Sequence, residues 1–412
     1  MTSSLSPSIR RNTALLSGSL AMSSAMLQLS AAVASITLVR VVGVQGLLGL
    51  GPAIQLVSGA LVALPAGVLM DRMGRVPVLA GGFAAGVAGC LLCAAGSAAS
   101  SPPLVLAGLV LVGASSATAL LARTAAGDMY PPQRRARGIA LVLFGSVFGA
   151  ILGPAVFSPL LAGRELDGDA LRTLWLAAAA FMAVGIALAS GVRPDPRRIA
   201  ELLRHEPAPA GPTAAATPLR TLLRRPGVVP ALIAAQASFA VMVAIMTLTG
   251  AIVVDHHDHG AENVFVIIGA HVIGMFGLIL VVGEVVDRVG RTPALAGGLA
   301  LMALSVISLL WLQSVAAVAL ALFALGLGWN LSFVAATAVL ADSTEAAERG
   351  KLLGFNDLLA GVTGAGLALL GGLALSALGV AALAIGGAAL VAAPALWIAR
   401  SGASLRALHG EA

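Results

Sequence analysis

Apolar runs of twenty or more residues follow one another along this chain with scarcely a polar interval, and that pattern restricts the fold more than any motif does. A bilayer's hydrocarbon core takes about 20 helical residues to cross. It offers no water to an unpaired peptide group, so such runs must close their hydrogen bonds internally, as helices. We place twelve spans at residues 13–39, 45–70, 76–98, 103–126, 137–161, 171–192, 227–253, 261–285, 292–312, 315–340, 351–377 and 380–399. A soluble chain would carry about a quarter charged residues, whereas this one carries 10%. The expected fold class is therefore an all-α membrane protein of twelve helices. The first run is too long for a removable signal peptide and lacks a cleavage site, so it is expected to stay as span 1.

Basic residues favour the cytoplasmic side of a membrane. With both termini inside, cytoplasmic segments hold 20 of the 24 Lys and Arg; Arg40, Arg164 and Arg172 fall outside and Arg123 lies within span 4. The same excess explains a formal net charge of +6 without a nucleic-acid partner. The long polar stretch Arg193 to Arg225 begins "RPDPRRIAELLRHE", which predicts a short amphipathic helix. It continues through a flexible Pro- and Ala-rich segment to "LRTLLRRPG". It reads as a cytoplasmic linker, residues 193–226, between six-span bundles at 1–192 and 227–412.

An internal repeat supports that division. "GVLMDRMGRVPVLAGG" at Gly67 to Gly82 returns as "GEVVDRVGRTPALAGG" at Gly283 to Gly298, with ten of sixteen positions identical at an offset of 216. Asp128 closes span 4 as Asp342 closes span 10, and basic turns follow to Gly138 and Gly350. Gly74 supplies a turn conformation that a Cβ would resist, and Gly67 permits close approach by another helix. Asp71 and Arg75 are spaced to pair if the turn stays helical. On composition alone, the hinge also reads as a plain topology anchor. Parallel repeats of six helices are an architecture of secondary transporters, with the substrate held between the halves.

The pattern G-x-x-x-D-R-x-G-R, complete as Gly67, Asp71, Arg72, Gly74 and Arg75, resembles the signature of the major facilitator superfamily, with a degenerate copy at Asp287, Arg288, Gly290 and Arg291. The resemblance spans essentially the whole chain and implies two pseudo-symmetric bundles. It implies that Asp71 faces the start of span 11 near Gly350 to Leu353, and that Arg75 meets Asp128. By the repeat, Arg291 would meet Asp342, and Asp287 would lie near Arg137 and Gly138, with Arg349 in the corresponding basic turn. These residues would form a cytoplasmic gate that breaks as the halves rock. Gly145, Gly149, Gly153 and Pro154 of span 5 resemble part of the motif typical of exporters in this superfamily; the continuation "AVFS" departs from it. Ordinary helix packing is the alternative reading of that strip.

Polar groups at lipid depth are costly and tend to face a cavity. Gln28, Gln55, Gln236, His271 and Asn330 lie near mid-membrane. The resemblance makes spans 1, 4, 7 and 10 cavity-lining, so Gln28, Gln236 and Asn330 are the substrate-binding candidates. Span 1 carries no acid, which many proton-coupled exporters of the family place there. The proton-coupling candidates are therefore His271, whose imidazole titrates nearest neutral pH, and Asp357, about 10 Å into span 11 at about 1.5 Å per residue. Pairing with Arg349 or Lys351 is the alternative for Asp357, a local pair with Arg288 the default for Glu284, and snorkelling the simple role for Arg123. Methionine pairs Met22/Met26 and Met242/Met246 fit packing or pliable cargo contacts. Cys90 and Cys93 read as apolar fillers. The outer loop "DHHDHGAEN", Asp255 to Asn263, reads as a solvated turn rather than a metal site. No nucleotide-binding signature occurs, and no metal, cofactor or enzymatic activity is expected. The reading that results is a monomeric secondary transporter of a bacterial plasma membrane. It exports small hydrophobic or amphipathic compounds, with protons as the candidate coupling ion. Uptake of a metabolite, or a non-transporting sensor or scaffold, are the alternatives.

Overall fold

The computed structural model describes residues 2–43, 48–130, 135–162, 164–203, 217–256, 260, 262–343 and 346–408. The first six spans are α1 (Thr2–Val42), α2 (Leu50–Met73), α3 (Arg75–Ala98), the pair α4 (Pro102–Leu120) and α5 (Ala122–Asp128), α6 (Arg135–Leu161) and α7 (Gly168–Ser190). Two short linker helices follow, α8 (Pro196–Leu203) and α9 (Leu219–Leu223). The last six spans are α10 (Val228–Ala251), the pair α11 (Glu262–Phe276) and α12 (Ile279–Val289), α13 (Arg291–Ser308), α14 (Val315–Asp342) and α15 (Ala346–Leu408). A π-helical turn, Ile252–His256, extends α10. α15 holds two spans, because Gly379 leaves the helix at φ 76° and ψ −174°. The chain doubles back there, and Leu383 reaches the surface of Gly371. All twelve expected spans are accounted for.

Two spans depart from the single helices expected. Span 4 breaks at Leu121, whose N–H bonds Thr118 O at 3.0 Å in a tightened turn. Just before it, Ser116 and Thr118 donate to the carbonyls of Val112 and Ala114 at 3.0 and 2.8 Å. Hydroxyls that bond back to the residue four earlier compete with the helix ladder and bend it. Span 8 breaks at Gly277 and Leu278, where glycine lowers the cost of leaving the helix.

Lipid gives helices no hydrophobic reason to associate, so they pack where small residues let backbones touch. A Cβ on Gly145 would stand 2.2 Å from Ser17 O, and one on Gly149 2.4 Å from Ala21 O, so the span 5 glycine strip is the seat of α1. Gly89 and Gly108 bring α3 onto α4, and Gly298 and Gly328 do the same for α13 and α14. The turns at Gly74 and Gly290 and the linker share one end of the bundle, the hinge face. The turns after Ala98 and at Gly379 mark the opposite, far face.

Candidate functional site

The two hinges have the same backbone. Gly74 stands at φ 100°, ψ 170° and Gly290 at φ 94°, ψ 153°, a region that L side chains avoid. The turn is therefore not helical, and the condition for a helical pairing of Asp71 with Arg75 is not met. Each turn instead starts a new helix with an arginine. Arg75 Nε donates to Asp128 Oδ2 at 2.8 Å, with only 12% and 21% of the two side chains exposed. Arg291 Nε donates to Asp342 Oδ2 at 3.2 Å, with 38% and 63% exposed. Both pairs lie within one half. Arg72 and Arg288 are exposed, and Arg288 bonds Glu284 at 2.6 Å. The side chains of Asp71, Arg137, Asp287 and Arg349 lie outside the described residues.

Among the described residues, no heavy atom lies within 4 Å of where a Cβ on Gly67 or Gly283 would stand, so the close approach expected at Gly67 is not seen there. Where both are described, α2 meets α15 through Gly49, Leu56 and Ala60.

A chain of polar groups crosses between the halves on the hinge side. Thr363 Oγ1 donates to Gln236 Oε1 at 3.0 Å, and Gln236 Nε2 donates to Asn356 Oδ1 at 2.9 Å. Asn356 adjoins Asp357, whose carboxylate lies 3.6 Å from Arg123 Nη2. Arg123 is on α5 in the first half and Asp357 on α15 in the second, so this ion pair bridges the two bundles. Neither residue's simple reading foresaw it. Their 234-residue separation leaves no local signal; the only clue was that both charges sit below the headgroups.

The far face is shut by backbone. A Cβ at Gly250 would be 2.3 Å from Ala32 O, one at Gly49 2.0 Å from Ala368 O, and one at Gly372 2.3 Å from Gly49 N. At Gly269 it would meet Ala150 O at 2.7 Å and Pro154 Cγ at 2.9 Å. Hydroxyls add to this seam: Ser158 donates to Glu262 O at 2.8 Å and Ser35 to Thr247 O at 3.5 Å. Each contact joins a helix of the first half to one of the second. Two sequence-derived candidates take part, Pro154 and Gln28, whose Oε1 would lie 3.4 Å from a Cβ at Gly269.

The candidates otherwise disperse. Gln28 is fully buried and its Nε2 donates to Gly149 O at 2.6 Å, against Gly153, while its Oε1 has no hydrogen-bond partner among the described residues and faces Gly269. Asn330, 1% exposed, has no hydrogen-bond partner for Nδ2 among the described residues. His271 is fully buried, its Nδ1 2.8 Å from Leu322 O, within the interface of α11 and α14. Gln55 accepts from Ser30 at 2.8 Å. Met26, Met242 and Met246 are buried in the core, and Cys90 and Cys93 are free and buried. The side chains of Asp255 to His259 lie outside the described residues, and no metal-binding cluster occurs among those described.

A family model described as the Major Facilitator Superfamily matches residues 13–332 and again 266–410. The MFS-type transporter YdeG of Bacillus subtilis is 33% identical over 337 residues, 79% of this chain and 76% of that one. The riboflavin transporter RfnT of Brucella anthropi is 31% identical over 303 residues, 73% of each. Among solved structures, a D-xylose-proton symporter superposes with a TM-score of 0.73 at 16% identity, over 95% of this chain and 97% of that one. The human organic anion transporter MFSD10 superposes at 0.63 with 16% identity, over 95% and 99%. At such identities the structures bear on the fold alone.

Proposed function

Because this chain belongs to the Major Facilitator Superfamily and is a multi-pass membrane transporter, we propose that it works by rocker-switch alternating access and exports small hydrophobic or amphipathic compounds. The bundles at 1–192 and 227–412 are the rocking bodies, and both termini and the linker 193–226 are cytoplasmic, in a plasma membrane. The observation that carries this reading is the unequal join between the halves. The far face is sealed by backbone contact at Gly49, Gly250, Gly269 and Gly372, while on the hinge side the link described across the halves is the part-exposed Arg123–Asp357 ion pair at 3.6 Å. A seam made of glycine and carbonyl is either closed or absent, which is what a gate with two states requires.

The charged hinges are the opposite gate. Arg75–Asp128 and Arg291–Asp342 fix the shape of each half's hinge-face end, and Arg123–Asp357 is the link across. Of the two coupling candidates, Asp357 is better supported than His271: its partner belongs to the other bundle, so its charge bears directly on rocking. Arg123, Asn356 and, through Asn356, Gln236 are the groups that face it. Cargo contact at Gln236 and Asn330 is part of the same reading.

A second reading is uptake of a heteroaromatic metabolite, favoured by the 31% identity to a riboflavin transporter. Purified protein in liposomes separates the two. Ethidium driven by a proton gradient is the result expected for export. Movement of riboflavin but not ethidium would favour uptake, and movement of neither under any ion gradient would overturn transport of both cargo types.

A further inference from the structure

The linker between α7 and α10 is docked at both ends, and each docked end reaches one of the hinge pairs. At its start, Asn12 Nδ2 donates to Pro194 O at 3.0 Å, and Asn12 Oδ1 accepts from Arg193 N at 3.2 Å. Arg11 also donates to Arg193 O. These bonds seat Asp195 beneath the first turn of α3. Its Oδ2 accepts from Val76 N at 2.9 Å and its Oδ1 from Arg197 N at 2.9 Å, while Arg197 Nη1 donates to Arg72 O at 3.1 Å.

The first N–H groups of a helix have no partner inside it, and they sit at its positive end, so a carboxylate there is doubly favoured. Arg75 directly precedes Val76. The cap thus holds the backbone from which the Arg75 guanidinium reaches Asp128. At Gly74 the nearest atom to a Cβ would be Asp195 Oδ2, at 2.9 Å; at Gly290 it would be Pro293 Cδ, at 3.7 Å, so no carboxylate of the described residues occupies the matching place in the second hinge.

That second hinge is reached from the linker's other end. Leu222 is buried with Val228, Leu232, Leu340 and Leu352, which fastens α9 to α10, α14 and α15. From there Arg225 Nη1 donates to Ser343 O at 2.8 Å. Ser343 directly follows Asp342, the acceptor for Arg291.

We propose that the linker is a working part of the gate rather than a tether, with Asp195 and Arg225 as positioning residues for Arg75–Asp128 and Arg291–Asp342. The idea rests on the rocker-switch reading and adds a component to it. The test reads the far-face seam, in nanodiscs, as the maleimide labelling rate of Ser35→Cys on a Cys90→Ala/Cys93→Ala background; Ser35 is 2% exposed in the closed seam. Asp128→Asn, Asp195→Ala and the two combined are compared, alongside Arg225→Gln with Asp342→Asn.

If Asp195 acts through the hinge pair, its loss shifts labelling about fivefold, the scale of losing one helix-end contact, in the same direction as Asp128→Asn. The combined variant then goes no further than the larger single change. Asp195→Asn, which keeps an oxygen for Val76 N–H without the charge, falls between Ala and wild type and guards against a folding defect. Single changes that multiply, or wild-type labelling in Asp195→Ala where Asp128→Asn departs, would overturn the positioning role alone. Wild-type labelling in Asp128→Asn would remove the gate reading itself, and the proposal with it.

Discussion

Gly250→Ala isolates the far-face seam with a single methyl group. Its Cβ would lie 2.3 Å from Ala32 O, and ordinary contact begins at 3.4 Å, so α10 and α1 must separate by about 1.1 Å to admit it. Overpacking of that kind costs about 1–3 kcal/mol. The ratio of closed to open seam falls by about 5- to 150-fold in consequence. Within the helix the change has the opposite sign: alanine is about 1 kcal/mol better than glycine in a helix interior. A loosened seam therefore cannot be attributed to a weaker α10. The assay is the labelling rate of Ser35→Cys on the cysteine-free background, since Ser35 lies against Thr247 in the same seam. Labelling is expected to accelerate at least about fivefold. Unchanged labelling with unchanged transport would mean that the two backbones do not need to meet here, and the seam would lose its place in the mechanism.

Asp357→Asn removes the charge that faces Arg123 across the halves, and it is expected to abolish the gain in flux that an imposed proton gradient gives. His271→Gln should leave that gain intact, because His271 bonds Leu322 within its own half; a lost gain in His271→Gln and a normal one in Asp357→Asn would reverse the assignment. Gly149→Leu drives a side chain into Ala21 and Ser24 of α1, inside the first half, so its effect should fall on stability. A lower Tm by several degrees, equivalent to about 1–3 kcal/mol, is expected in detergent, and wild-type stability would contradict the packing described for the span 5 strip.

The spans were legible because lipid solvation leaves the sequence so few options: an apolar run must be a helix, and its length sets its limits. The hinges were legible because they break that rule twice in the same words. Arg75 meets Asp128 as the family resemblance implied, and Arg291 meets Asp342 as the internal repeat implied. What escaped is contact between elements far apart in the chain. The composition holds 49 glycines, and nothing local distinguishes Gly250, which meets α1, from Gly67, which meets none of the described residues. Asp195 lay in a segment read as a short amphipathic helix opening a cytoplasmic linker, with no partner assigned to it. Its signal was an acid directly behind Arg-Pro, ahead of an amphipathic turn, where a docked rather than a free segment could have been suspected. Gln28 was placed at the right depth, but depth does not fix the direction in which a side chain points. The breaks in spans 4 and 8 follow from hydroxyl back-bonding and from Gly277, features too common in membrane helices to have marked those two positions.

Alternating access requires the two faces to open in opposition, and paired distances measure that directly. Spin labels at Ser100→Cys and Ser314→Cys, exposed in far-face turns of the two halves, report one face; labels at Met73→Cys and Val289→Cys, exposed beside Gly74 and Gly290, report the other. Each pair is expected to show two distances, with the populations inverted between the pairs and shifted together by Gly250→Ala. A single unchanging distance for both pairs, with and without Gly250→Ala, would contradict rocking of the two bundles.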